Sequence, residues 1–228
     1  MPFTFSHPAA VLPFKRLTPR YLNFAALVIG STTPDMGYFL HDLRYRHEAH
    51  TFGGSFLVDL PFGLLMLAVF YLCRGPVCYL LPFAHRRILF PLTQQKLHRT
   101  PLRFLVACLS ILIGTWTHII WDSFTHPWGY FTRLFPVFNK TFLIIDHVAF
   151  PGYFVLQLAS SIVGGVIVAM AYWFWFRKHR APSSPPQQSD LWRYLLWIVL
   201  LVAPVFFSLP RGLHIARIFD GYFALHVF

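Results

Sequence analysis

Four long apolar runs punctuate the chain, at 54–73, 104–121, 150–176 and 191–209. Each approaches or exceeds the roughly 20 residues that carry a helix across a bilayer, so the pattern predicts an all-α polytopic membrane bundle with four transmembrane helices. Gly164-Gly165 and neighbouring small residues in the third run permit close helix packing. An earlier apolar stretch, YLNFAALVIGSTTP at 21–34, stops at Pro34-Asp35 and is too short for a full crossing, which predicts a short or re-entrant N-terminal helix. Residues 1–20 are amphipathic and broken by Pro2, Pro8, Pro13 and Pro19, the pattern of an interfacial arm. With the polar stretch 41–53 they make an N-terminal arm and polar loop, 1–53. Between spans, 74–103 reads as a basic loop containing a helix that lies on the headgroups, 122–149 as a second loop, and 177–190 (RKHRAPSSPPQQSD) as a flexible linker. No other boundary is visible, so 1–228 reads as one integral membrane domain.

Composition agrees: 56% of residues are hydrophobic and only 12% charged, outside the range of soluble domains. The net charge of +11 then reads as a topology signal and as contact with anionic headgroups, and not as nucleic-acid binding. If 21–34 crosses the membrane, 13 basic residues face 6 and the basic loops are cytoplasmic; if it does not, 10 face 9 and the charges decide nothing. In either case His50, Asp122 and His126 share the side opposite the basic loops. Cys73, Cys78 and Cys108 form no CxxC pair, which excludes a disulfide framework and a cysteine zinc site. The start MPFTFSHPAAVLPFKR lacks the basic-then-apolar order of a cleavable signal.

The chemistry concentrates in GTWTHIIWDSFTH at 114–126. His118 and Asp122 are four apart on a helix and so converge on one face, and Pro127 biases His126 out of the helix so that its side chain folds back over the end. Read alone, the motif is also consistent with a polar helix cap under the aromatic anchors Trp116, Trp121 and Trp128. His7, Pro34-Asp35 and His50 add oxygen and nitrogen donors without a thiolate, a set that suits zinc or another divalent ion. Asp59 lies within the first apolar run and needs a partner or a cation there. Glu48 does not make a zincin, because HEAH at 47–50 is followed by Thr51 where HExxH requires histidine. The HxxxD of 118–122 lacks the Ser-Arg that precedes it in lipid phosphatases with a histidine nucleophile, and no duplicated broken helices support a transporter.

The segments MPFTFSHPAAVLP, ALVIGSTTPDMGYF, HTFGGSFLVDLPFGLLM, GTWTHIIWDSFTHPWG and YFVLQLASSIVGG resemble a family of uncharacterised bacterial integral membrane proteins, domain-of-unknown-function family 4184, through most of the chain. More distantly, the order His, Pro-Asp, His, HxxxD, His is similar to membrane-bound metal-dependent hydrolases of the YdjM type, to zinc-dependent phospholipase C and to the S1/P1 nucleases. This resemblance implies one or two divalent ions, zinc foremost, held by His7, Asp35, His50, His118, Asp122 and His126, with His118 and Asp122 at the catalytic centre. Those enzymes carry a later HxxxE that has no counterpart here, so Asp59, or Asp146 with His147, would stand in as additional ligands. The implied activity is hydrolysis of a phosphoester of a lipid or lipid-linked substrate at the surface of the bacterial cytoplasmic membrane, on the face opposite the basic loops, with membrane lipids as partners and no nucleic acid. The alternative is a non-catalytic multi-pass scaffold whose polar cluster is a structural metal site or a hydrogen-bond network.

Overall fold

A computed structural model describes residues 3–18, 20–40, 43–94, 100–145, 148–180, 190–200 and 202. They are mostly helical and fall into two compact units, Met1–Arg74 with Gln95–Lys178 and Gly75–Gln94 with His179–Phe228. In chain order the helices are α1 (Pro8–Val11), α2 (Phe24–Gly30), α3 (Met36–Leu40), α4 (Leu43–Ala49), α5 (Phe52–Leu80), α6 (Phe83–Thr93), α7 (Pro101–Thr125), α8 (Tyr130–Leu134), α9 (Gly152–His179) and α10 (Leu191–Leu200).

Three helical segments are long and apolar enough to cross a membrane: Phe52–Leu80, Pro101–Leu134, which runs from α7 through α8, and Gly152–His179. They match the first three predicted spans but run longer. α7 begins one turn earlier because Thr100 caps it, its side chain accepting from the Arg103 amide, and Pro101 takes the first position, where a missing N–H costs nothing. α5 continues through Gly75 and Pro76, residues placed in a loop by sequence, since neighbouring helices and local adjustment let membrane helices tolerate both. Of the fourth predicted span, α10 covers 191–200; residue 201 and residues 203–209 lie outside the described residues.

The loop expected at 122–149 departs further from the sequence reading. It contains the end of α7, α8, and an antiparallel hairpin of β1 (Thr141–Ile145) with β2 (Val148–Pro151), in which Leu143 pairs with Phe150 and Ile144 with Ala149. The all-α expectation fails locally because TFLII and VAF are rich in the β-branched and aromatic residues that favour a pleated surface. At the linker, Arg177 to His179 belong to α9 and 181–189 lie outside the described residues.

Within the first unit α2 lies directly on α7. A Cβ added at Gly30 would sit 2.1 Å from the Ile111 carbonyl oxygen, and one at Gly114 would sit 2.3 Å from that of Leu27. Two glycines thus allow backbone-to-backbone contact, the small-residue crossing common between membrane helices. Thr115 Oγ1 donates to Gly30 O across 3.2 Å, and Ala26, Leu27, Ala107 and Ile111 are buried around the crossing. α2 has seven residues, a rise of about 10 Å, or a third of the hydrocarbon thickness. The N-terminal arm is tied to α9: Phe3 N donates to Ser161 Oγ at 2.9 Å and Ser6 Oγ to Ser161 O at 2.6 Å.

In the second unit Asp190 accepts from the Phe83 amide and from Arg193 at 2.5 Å each, while Trp197 Nε1 donates to Leu80 O at 3.1 Å. These bonds tie the start of α10 to both ends of the turn between α5 and α6.

Candidate metal centre

The first turns of α5 pack on the last turns of α7, where Trp116 Nε1 donates to Ser55 Oγ, so His50, two residues before α5, meets His118 and Asp122 near the end of α7. Asp35 arrives from a 3-10 turn, Thr33–Asp35, one step beyond α2. The glycine-mediated contact of α2 with α7 fixes its depth.

One ligand atom each from Asp35, His50, His118 and Asp122 lies within 4.8 Å of the others. His118 Nε2 is 3.4 Å from Asp122 Oδ2 and 3.6 Å from Asp35 Oδ1, and His50 Nε2 is 3.5 Å and 3.9 Å from the same two oxygens. Zinc bonds of about 2.0–2.2 Å give tetrahedral edges of about 3.3–3.6 Å, so three of these four separations lie in the ligand-to-ligand range and the fourth slightly beyond it. Among the described residues, Asp35 Oδ1, His118 Nε2, both Asp122 oxygens and His7 Nε2 are buried without a hydrogen-bond partner. Buried polar atoms are otherwise almost always satisfied, so an array of orphaned carboxylate and imidazole atoms turned inward fits a cation better than a protein hydrogen-bond network.

The surroundings fix the donors. His118 Nδ1 lies 2.8 Å from the Ser31 carbonyl, which can only accept, so Nδ1 carries a proton, and Nε2 is the atom the ring would offer a metal ion in its neutral form. Thr4 Oγ1 donates to Asp35 Oδ2 at 2.7 Å and leaves Oδ1 facing inward. Burial raises the Asp35 pKa, an effect His118 opposes. His7 stacks on His118 with ring centroids 3.7 Å apart, and its Nε2 is 3.6 Å from Asp122 Oδ1. Burial, and secondarily the neighbouring His118, pushes the His7 pKa down to about 3, so its imidazole is neutral at pH 7. Only His50, with 24% of its side chain exposed, opens the four-residue cluster toward the surface.

His126 adopts extended dihedrals ahead of Pro127, as predicted, and folds back so that Nδ1 lies 3.6 Å from Asp122 Oδ2. That Nδ1 is also 3.1 Å from the Asp122 backbone carbonyl and so donates there, which leaves His126 beside the cluster and outside its four-atom set. Asp59 is fully buried on a π-helical turn, Ser55–Asp59, and neither oxygen has a hydrogen-bond partner among the described residues, yet it is not one of the four. Asp146 and His147 lie outside the described residues. His47 and Glu48 are exposed. Sequence reasoning missed Thr4 and Ser31; a backbone carbonyl leaves no residue-type signal, whereas Thr4, three positions before His7, is a polar residue in the apolar opening MPFTF.

The chain belongs to the family of the domain of unknown function DUF4184, whose model matches residues 1–225. No curated protein and no solved structure matches it. The family is thereby shown; a likeness to phospholipase C, to the S1/P1 nucleases or to YdjM-type hydrolases is not.

Proposed function

We propose that this chain is a membrane-bound, metal-dependent hydrolase acting on a phosphoester of a lipid or lipid-linked substrate at the surface of the bacterial cytoplasmic membrane. The observation that carries the reading is the convergence of Asp35, His50, His118 and Asp122, with orphaned donor atoms at metal-ligand separations. These four would hold the ion, and Asp122 Oδ1 and His7 Nε2, 3.6 Å apart, border a second position on the other side of the Asp122 carboxylate. A divalent ion held there, zinc foremost, would supply Lewis acidity and bring the pKa of water down toward neutrality. His7, neutral and buried, would offer its Nε2 lone pair at that second position, and Ser31 holds His118 with Nδ1 protonated. The cluster lies in the last turns of α7 and just before α5, which suits a substrate whose phosphate stays at the headgroup level, on the face opposite the basic loops. The fourth span, the cytoplasmic-membrane location and the absence of nucleic-acid partners belong to the same proposal.

A second reading keeps the metal and drops the reaction. Four protein ligands complete a tetrahedral shell, the hallmark of a structural site. Both are tested by metal analysis of the detergent-purified protein and of His118→Ala, followed by hydrolysis assays on phospholipid and on a soluble phosphodiester. Metal in the wild type, its loss in His118→Ala and turnover only in the wild type support the hydrolase; stoichiometric metal without turnover supports the structural site; no metal overturns both.

A further inference from the structure

A cavity of about 370 Å³ adjoins the cluster, walled by the arm residues His7, Ala9 and Ala10, by Trp121 of α7, and by α9 from Leu156 to Ile167. Its size is that of small-ligand pockets, about 300–1,000 Å³, and its walls are almost wholly apolar. Small residues make the space: Ala9, Ala10, Ala159 and Gly164 line it, and a Cβ on Gly164 would meet Ser6 at 2.9 Å, so the arm roofs the cavity directly against the helix backbone. His7 is shared, lining the cavity while its Nε2 faces Asp122.

We propose that this cavity holds one acyl chain of a membrane phospholipid, with the phosphate reaching past His7 to the metal cluster. The proposal rests on the hydrolase reading for the role of the phosphate, and on the cavity itself for the chain. Two observations select a lipid chain as occupant. The wall residues Val163 and Ile167 are 56% and 44% exposed on a helix long and apolar enough to span the bilayer, so the mouth opens toward hydrocarbon. Leu156 to Ile167 cover about three turns, roughly 16 Å, which is half of the roughly 30 Å hydrocarbon core, the depth of one leaflet and of one acyl chain.

The test is photo-crosslinking of the full chain in detergent with a phosphatidylcholine carrying a diazirine on its acyl chain, with adducts mapped by mass spectrometry. Adducts on Ala9, Ala10 or Trp121 are expected in the wild type. Ala159→Phe and, from the opposite wall, Ala10→Phe should overpack the cavity and reduce them about tenfold, equivalent to about 1.4 kcal/mol, while adducts at the outward-facing Ile162 persist. Adducts confined to outward faces, or cavity adducts unchanged in both variants, overturn the proposal. With zinc-loaded protein, the same variants should lower turnover of long-chain phospholipid about tenfold relative to a water-soluble bis-aryl phosphate; an equal loss on both substrates overturns it. If the wild type hydrolyses neither substrate, the hydrolase reading fails by itself, and the crosslinking still decides whether the cavity takes a chain.

Discussion

Asp122→Asn keeps the shape of the side chain that touches every imidazole of the cluster and removes its charge. Asp122 Oδ2 is 3.4, 3.5 and 3.6 Å from His118, His50 and His126, and Oδ1 is 3.6 Å from His7, yet neither oxygen has a hydrogen-bond partner among the described residues. Structural zinc binds with about 10–16 kcal/mol, so one ligand of four is worth about 3 kcal/mol, and the variant should bind zinc at least about 100-fold more weakly. At a free zinc concentration 1,000 times the wild-type Kd, binding stabilises the wild type by about 4 kcal/mol, or roughly 8–16 °C in Tm for a chain of this size. The variant should gain less than half of that. In a chelator the order should reverse, because an uncompensated buried carboxylate opposes folding and its amide replacement does not. The assay is thermal unfolding in detergent of both proteins with EDTA and with buffered zinc. If the cluster were a self-contained ion-pair network, with His118 protonated against Asp122, the variant would melt several degrees lower in EDTA and zinc would move neither protein. That result would refute the metal-centre reasoning.

Gly114→Val should displace α2 and with it Asp35, since even a Cβ would lie 2.3 Å from the Leu27 carbonyl oxygen; a loss of about 3 kcal/mol or more and reduced zinc content are expected, read by unfolding and metal analysis. His47→Ala and Glu48→Ala, on exposed side chains close in sequence to His50, should leave zinc content unchanged in the same analysis. Acidification should destabilise the chelator-treated protein through His7: its folded pKa, about 3, lies below the unfolded value near 6.5, so the unfolded chain takes up the proton first and the stability contribution is lost as pH falls through that window. Asp35, whose pKa burial raises, acts with the opposite sign as pH rises above the ordinary carboxylate range. Unfolding of wild type and His7→Gln from neutral to acid pH should show the steeper loss in the wild type. Trp116→Phe, which removes the 3.1 Å donation to Ser55 Oγ at the π-helical turn, should cost about 1 kcal/mol in the same melts.

Where the arm lies was the question that charge could not answer. Counting lysines and arginines gives a decisive ratio only if 21–34 crosses, so the count presupposes the answer. Histidine spacing was more informative: HxxxD on α7 placed His118 and Asp122 on one face from local geometry alone, and Pro127 turned His126 back for a reason equally local. What sequence could not supply was the depth to which separate segments travel. Asp35 reaches His118 because Gly30 and Gly114 allow α2 to touch α7, and in a chain with 13 glycines nothing local marks those two as the contact pair. The pairing of 141–145 with 148–151 escaped for a related reason, since short runs such as TFLII carry little periodicity and do not name their partner strand.

The stacking of His7 on His118 at 3.7 Å bears on topology as well as chemistry. Full passage of 21–34 through the membrane would put roughly 30 Å of hydrocarbon between the arm and the end of α7. A seven-residue helix cannot span that distance, and the two rings are in contact. The arm that carries His7, and the turn that carries Asp35, therefore meet His50 and Asp122 at the same end of α7.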